Sequence, residues 1–382
     1  MGFAVTMTIQ ATRIAAERDR ANVEAATAEQ VSEFMVELFK LADPSETRGE
    51  TVTAREILDE GAKRLSSELD EQPAVKARLI ATIGRVYQNL ALFDRAQPLL
   101  EQALQMRRDS QVRADDLASS LRRLGWLFEQ RGEYDAAEPL YREALDVVRA
   151  EHGRQHRGVA DALNDLALLF HRKGNSEAAA PLHRQALAMR KALLPADHPA
   201  ISDSLNNLAL AVHRIGERSE AERLHREALR IRRAAFGDPH ARIAMSLDSL
   251  GRIKHEEGDT EAAEAFFLEA LAMRRTLFGD KHPEVSSSLN NLASLRYQKG
   301  DLRGAEAMFR ELVVVDRKLL GSEHPDYGQV LNNLGFVLAQ QERFSEAAAV
   351  YRDALAVLEG ALGPEHWLLA LTQGNYGECL LR

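Results

Sequence analysis

The sequence predicts an all-α protein built as a linear array of helix pairs, and three observations carry that prediction. Ala, Leu, Glu and Arg dominate a composition that is 45% hydrophobic and 28% charged, with aromatic residues at only 6%; such a mixture favours helices and leaves little material for a large sheet. Residues of one kind recur every 42 positions, as at Gly132, Gly174, Gly216, Gly258 and Gly300. Within each row, apolar residues fall three and four apart, which is the spacing of one helix face. A period of this length marks units that stack on their neighbours, so the 382 residues read as one array and not as separate globular domains.

The bulk properties exclude several function classes. A net charge of -9, from 49 basic and 58 acidic residues, provides no overall field to draw the chain onto nucleic acid or an anionic membrane. Cys379 is the single cysteine, which rules out an intramolecular disulfide and a zinc site of several thiolates. No stretch reaches the roughly 20 apolar residues of a membrane-spanning helix. The apolar start, Gly2 to Ile9, is too short and lacks a charged leader and a cleavage site, so the expected location is cytoplasmic.

The elements follow in order. Residues 1–42 read as a long amino-terminal helix: Met7 to Ala42 contains no Gly or Pro, Arg13 to Arg20 is highly charged, and Val31, Phe34, Met35, Leu38 and Phe39 cluster at helical spacing. Asp43-Pro44-Ser45 breaks it. Residues 43–73 then hold a capping helix, Thr53 to Leu69, that packs Ile57, Leu58 and Leu65 onto the array. Seven repeats fill 74–366, beginning near Ala74, Arg113, Arg157, Pro199, Ala241, Pro283 and Pro325.

In each repeat the first helix carries Leu-x-x-Leu-Ala/Gly, as in Leu205, Leu208 and Ala209, and a glycine ends it in the left-handed conformation. The second helix pairs small with large residues: Ala137, Tyr141, Ala144 and Leu145 in one row, Ala263, Phe267, Ala270 and Leu271 in another. Glu342 stands where the seventh turn should have glycine, and Pro195 replaces a loop glycine. Residues 367–382 supply the first helix of an eighth repeat, and Tyr376, Leu380 and Leu381 are expected to be covered by a further segment or another chain.

This pattern resembles the tetratricopeptide repeat, in the 42-residue variety of kinesin light chains, whose Leu-Asn-Asn-Leu-Ala and Gly-x-x-His-Pro signatures are present at Leu205 to Ala209 and Gly279 to Pro283. The resemblance implies a right-handed superhelical solenoid of antiparallel helix pairs, without catalysis or cofactor, that holds a protein or peptide partner in a concave groove. A second resemblance lies before the repeats. Arg13 to Asn22, Phe34 to Phe39, Ala42-Asp43-Pro44-Ser45 and Thr53 to Leu58 are similar to the linker of bacterial receptor-type serine/threonine kinases with carboxy-terminal repeats. No kinase motif accompanies it. It implies an alternative, a regulatory or sensory accessory region tethered to a membrane in a longer parent and acting as a homodimer through the amino-terminal helix or the carboxy-terminal end.

Candidate binding residues sit on the first helices. Asn164, Asn206, Asp248, Asn290 and Asn332 form one series at the period of the repeat, and Asp165, Asn207, Ser249, Asn291 and Asn333 form the next. Side-chain amides offer donors and an acceptor, so a ladder of them can hold an extended backbone whatever its sequence, or else join adjacent repeats. His171, His213 and His255, with Arg172, Arg214 and Arg252, would favour an acidic peptide. Stacked repeats lie about 10 Å apart by helix-packing distances, too far for these histidines to share a metal.

A second histidine series, His156 to His366, falls at the inter-repeat loops and reads as a helix-start device. His183 and His225 occupy slots that hold Tyr or Phe in other rows and read as packing residues. Basic pairs late in the second helices, such as Arg232-Arg233 and Arg274-Arg275, suit the negative end of the helix dipole. No nucleophile–base arrangement stands out, and no enzyme is expected.

Overall fold

The computed structural model describes residues 53–67, 69–110 and 112–382, together with positions 18, 25, 28–34 and 36. Most of the expected 1–42 helix, including the segment expected to dimerise, and residues 43–52 lie outside the described residues. The described positions near the start are helical, and Val31 and Phe34 pack against the core of the first repeats.

Every regular element among the described residues is a helix. Helix α1 (Ala54–Ser67) is followed by seven pairs: α2 (Pro73–Asn89) with α3 (Phe93–Asp109), α4 (Ala114–Gln130) with α5 (Tyr134–His152), α6 (Arg157–Arg172) with α7 (Ser176–Leu193), α8 (Pro199–Arg214) with α9 (Arg218–Phe236), α10 (Ala241–Glu256) with α11 (Thr260–Phe278), α12 (Pro283–Gln298) with α13 (Leu302–Leu319), and α14 (Pro325–Gln340) with α15 (Phe344–Ala361). The lone helix α16 (Trp367–Leu381) follows. Contacts divide the chain into two compact units, residues 1–189 and 190–382.

Local chemistry explains where the helices start and turn. Thr53 and Glu56 form a reciprocal capping box at α1: the Thr53 N–H donates to Glu56 Oε2 at 2.8 Å, and the Glu56 N–H donates to Thr53 Oγ1 at 3.3 Å. The turn inside the second pair is made by Gly132 at φ 76°, and Gly174, Gly216, Gly258 and Gly300 do the same in later pairs. Glu342 keeps this turn without glycine. It adopts φ 61°, and the Arg343 N–H still donates to the Leu338 carbonyl at 3.1 Å, as the Glu133 N–H does to Phe128 at 2.8 Å.

Within a pair, a small residue of the first helix receives a large one from the second. A methyl group on Gly251 would come within 2.6 Å of the Phe267 ring, so the two helices touch at this point through glycine alone. In the first unit, Leu79, Ile83, Leu100, Leu121, Leu124, Tyr141, Leu163 and Leu166 form a core running through successive pairs, onto which α1 adds Leu58 and Leu65. In the second unit, Leu289, Leu292, Phe309, Leu334 and Tyr351 do the same, and α16 contributes Cys379.

Charged staples join the pairs. Near the end of four of the second helices the first member of the basic pair reaches the next first helix: Arg190 Nη1 donates to the Ala200 carbonyl at 3.3 Å and to Ser204 Oγ at 2.7 Å, and Arg232 Nη1 to the Arg242 carbonyl at 2.9 Å and to Ser246 Oγ at 2.7 Å. Arg107 repeats this with the Asp116 carbonyl and Ser120, and Arg274 with Ser288. The second member reaches the next second helix, as in Arg108 with Glu143 at 2.6 Å and Lys191 with Glu227 at 2.7 Å. The helix dipole is therefore only part of what these residues serve. Where Val148 replaces the arginine, Ala162 replaces the serine, so that joint is apolar on both sides.

Two predictions follow from these joints and turns. Arg232→Val leaves the buried Ser246 hydroxyl and the Arg242 carbonyl without their donor and should cost about 2–3 kcal/mol in urea unfolding. The double change with Ser246→Ala, copying Val148 and Ala162, should cost less than the two single changes added. Glu342 is exposed and has no ion-pair partner among the described residues, so Glu342→Gly removes left-handed strain and should raise stability by about 1 kcal/mol in the same assay.

Candidate functional site

The residues of the two series lie on the first helices of successive pairs, and their surroundings differ from rung to rung. Asn164, Asn206, Asp248 and Asn332 are buried, whereas Asn290 is exposed. Asn332 Oδ1 accepts from Asn375 Nδ2 at 3.1 Å, one repeat further on. Asp248 pairs with the buried guanidinium of Arg274, and burial pushes its carboxyl up against that arginine's pull.

The adjacent series is more open. Asn207, Asn291 and Asn333 are half-buried, while Asp165 binds Arg122 Nε at 2.5 Å and Ser249 is buried with its hydroxyl donating to the Met245 carbonyl at 3.1 Å.

Arg172 extends a buried network in the first unit. Its Nε lies 2.6 Å from Glu129, a residue only 4% exposed, whose other oxygen accepts from the Tyr141 hydroxyl at 2.7 Å. Burial raises the Glu129 carboxyl, and Tyr141 and Arg172 act against it. In the second unit His213 Nε2 lies 2.9 Å from Glu256 Oε2, which also receives Arg218. His171 and His255 are half-buried; Arg214 and Arg252 are exposed with no ion-pair partner among the described residues.

The other histidines divide as their spacing suggests. His156, His198, His240, His282, His324 and His366 each cap the following first helix, with Nδ1 accepting the backbone N–H two residues on; in His198 that distance is 3.1 Å, to Ala200. The imidazole thereby does the work of the usual Ser or Asp cap. His183 and His225 are buried in the slots of Tyr141 and Phe267. Burial, and then the charges of Arg252 and Arg232, push the His225 imidazole down to about 3.

Among the described residues one cluster offers potential metal ligands: Asp115, His152 and His156 bring donor atoms within 4.8 Å of one another. The two imidazoles stack, with centroids 3.9 Å apart and planes at 24°, so their in-plane lone pairs run side by side and do not converge on one ion. His156 Nδ1 is already used by the Gly158 N–H. Phe236 on His240 and Phe278 on His282 make the same stack at 4.2 Å. His152 is the ring partner of a capping histidine.

Extending the ladder back by one row shows what the sequence reading passed over. The two rung positions 42 residues before Asn164 and Asp165 are Arg122 and Arg123, followed three residues later by the exposed Trp126. The signal was the period itself.

A sequence profile described as tetratricopeptide repeat matches residues 76–150, 116–192, 200–276, 242–318, 284–360 and 326–382. The chain belongs to the tetratricopeptide-repeat family, whose members are generally non-catalytic scaffolds for protein–protein interaction. Among solved structures it is similar to a putative kinesin light chain of Podosopora anserina with nearly identical repeats, at 20% identity and a TM-score of 0.50 over 55% of this chain and 99% of the other. It is also similar to BtubC (BKLC) from P. vanneervenii, at 24% identity and a TM-score of 0.49 over 63% and 91%, and to Pseudomonas aeruginosa pilF, at 18% and 0.47 over 68% and 98%. No curated protein sequence matches the chain. Among the described residues no helix is long and apolar enough to cross a membrane.

His225 carries the prediction of this section. Its unfolded imidazole takes up a proton below about 6.5, whereas the folded one resists until about 3. The unfolded state therefore binds more protons between these values, and stability falls as pH drops through that window by up to about 1.4 kcal/mol per pH unit. His225→Phe, filling the slot as Phe267 and Phe309 do, should flatten the fall in urea-unfolding stability between pH 6.5 and 4.5.

Proposed function

We propose that the chain is a cytoplasmic scaffold that holds an extended or helical segment of a partner protein along the first helices, gripped by Asn164, Asn206, Asn207, Asp248, Asn290, Asn291, Asn332 and Asn333 with His171, Arg172, His213, Arg214 and Arg252. The observation that carries this reading is the set of half-buried and exposed polar side chains, Asn207, Asn290, Asn291 and Asn333, at one repeating position pair on α8, α12 and α14. Arg214 and Arg252 beside them have no ion-pair partner among the described residues. Amides presented at a regular step suit main-chain recognition, since each rung can bind one donor or acceptor of an extended strand.

A second reading rests on the amino-terminal resemblance, Arg13 to Asn22 and Phe34 to Phe39. In it the chain is the accessory region of a bacterial serine/threonine kinase and works by self-association. Light scattering of the chain beside a version lacking residues 1–42 separates the two: a dimer that becomes a monomer on truncation supports the accessory region, and a monomer in both supports the free scaffold.

Each rung contributes a modest hydrogen bond of about 1 kcal/mol, so single alanine changes are weak tests. The combined change Asn207→Ala, Asn290→Ala, Asn291→Ala and Asn333→Ala should abolish capture of the partners that the wild-type chain retains in a pull-down. Unchanged capture by the folded combined variant would remove the ladder from the mechanism.

A further inference from the structure

One hydroxyl in the second unit lacks what its counterpart in the first unit has. Tyr141 and Tyr351 hold the same place in the repeat, each seated on a glycine of its own first helix: a methyl group on Gly125 would come within 3.0 Å of the Tyr141 ring, and one on Gly335 within 2.9 Å of the Tyr351 ring. Tyr141 donates to Glu129, which also takes the guanidinium of Arg172. Five repeats on, Ala339 stands at the position of Glu129 and Arg382 at that of Arg172, so the phenol and the cation persist and the carboxylate between them is gone. The Tyr351 hydroxyl has no hydrogen-bond partner among the described residues, although the residue is only 1% exposed.

These residues meet in one place. Tyr351, Ala339 and Arg382 line a pocket between α14, α15 and α16 of about 310 Å³, its open mouth included, with Phe336 and Phe344 beside them. Asn375 also lines it, where Asp165 stands in the first unit, so a second negative charge has given way to a neutral amide. Burial pushes the Tyr351 phenol up, so at neutral pH it keeps its proton and can serve as a donor. Burial likewise pushes the Cys379 thiol up, which keeps that lining group uncharged. One acid remains at the rim. Glu378 holds Arg382 at 3.0 Å, but both side chains are well exposed, at 68% and 62%, and a surface pair of this kind is weak enough for a ligand to displace.

We infer that this pocket binds a short-chain monocarboxylate, its carboxylate held by the Tyr351 hydroxyl and the Arg382 guanidinium as Tyr141 and Arg172 hold Glu129. The size follows from the substitution. Glu exceeds Ala by a methylene and a carboxylate, which together make an acetate, and Phe336 and Phe344 offer apolar surface to a slightly longer acid such as butyrate. Two oxygens in one plane suit two donors, and in the first unit the donors take separate oxygens, Tyr141 at Oε2 and Arg172 at Oε1. A carboxamide has one acceptor atom and turns N–H donors toward the other group, so it does not fit. The site stands apart from the ladder, since Asn207, Asn290, Asn291 and Asn333 do not line it.

The test is saturation-transfer NMR of the full chain with butyrate, using acetate as competitor and butyramide and inorganic phosphate as comparisons. Butyrate should bind and acetate should displace it, while butyramide and phosphate should do neither. Tyr351→Phe keeps a ring that the slot accepts at Phe267 and Phe309, and should weaken butyrate roughly tenfold, the weight of one hydrogen bond to a charged group. Ala339→Glu supplies the carboxylate from the chain itself and should abolish binding, and Glu378→Gln frees Arg382 and should tighten it. If circular dichroism shows that Ala339→Glu does not fold, Tyr351→Phe and Glu378→Gln decide the matter. No butyrate signal, equal binding of butyramide, preference for phosphate, wild-type affinity in Tyr351→Phe or in folded Ala339→Glu, or weaker binding in Glu378→Gln would each overturn the inference. A ladder that fails in the pull-down leaves this result untouched, and failure here leaves the ladder standing.

Discussion

A helix pair of this chain cannot close its own core, and the rest of the structure depends on that deficit. The large residue of each second helix, such as Phe267 or Tyr141, fills a gap beside the small residue of its own first helix, yet Leu289, Leu292 and Leu334 are buried only because the neighbouring pair is present. What must be solved at each joint is how two surfaces meet in one register. Arg190, Arg232 and Arg274 solve it by setting a guanidinium against a serine of the next first helix, with a backbone carbonyl of that helix added for Arg190 and Arg232 and Asp248 of its own pair's first helix for Arg274. An arginine fork satisfied in this way tolerates little sliding, since a shift of one residue would strand its donors.

The fold was legible because its determinants are local and repeated. Leucines three and four apart, glycine at the pair turn and a small residue opposite a large one are signals within one row, and the 42-residue period multiplies them. Even the departure at Glu342 left the turn intact, since the backbone adopted the glycine-like angle and kept the Arg343 to Leu338 bond. The capping role of His156 and its counterparts was also readable, because a residue directly before Pro199, Pro283 or Pro325 stands at a helix start.

The binding face was less legible, because exposure and pairing depend on what the neighbouring repeat contributes. Asn290 and Asn332 share one slot in the pattern, yet Asn332 is buried against Asn375 and Asn290 is exposed. Arg172 looks like a free groove cation in the sequence and instead closes on Glu129, 43 residues earlier. Arg122 and Arg123 went the other way: they read as two of many basic residues until the period of the ladder is carried back by one row. Pairings of this kind lie about one repeat apart, beyond the reach of any helical periodicity.

The two kinds of joint have a bearing on how such a chain can change length. The joints made by Arg190 with Ser204, Arg232 with Ser246 and Arg274 with Ser288 are chemically interchangeable, so a gene duplication or deletion that cuts between them hands each surviving surface a partner it already knows. The joint of Val148 with Ala162 is not interchangeable with these, because an arginine delivered to Ala162, or a valine to Ser204, leaves a buried polar group stranded. The stretch from Arg190 to Ser288 is therefore where whole repeats can be copied or lost in register, while the Val148 joint marks a seam that recombination crosses only at a cost in folding.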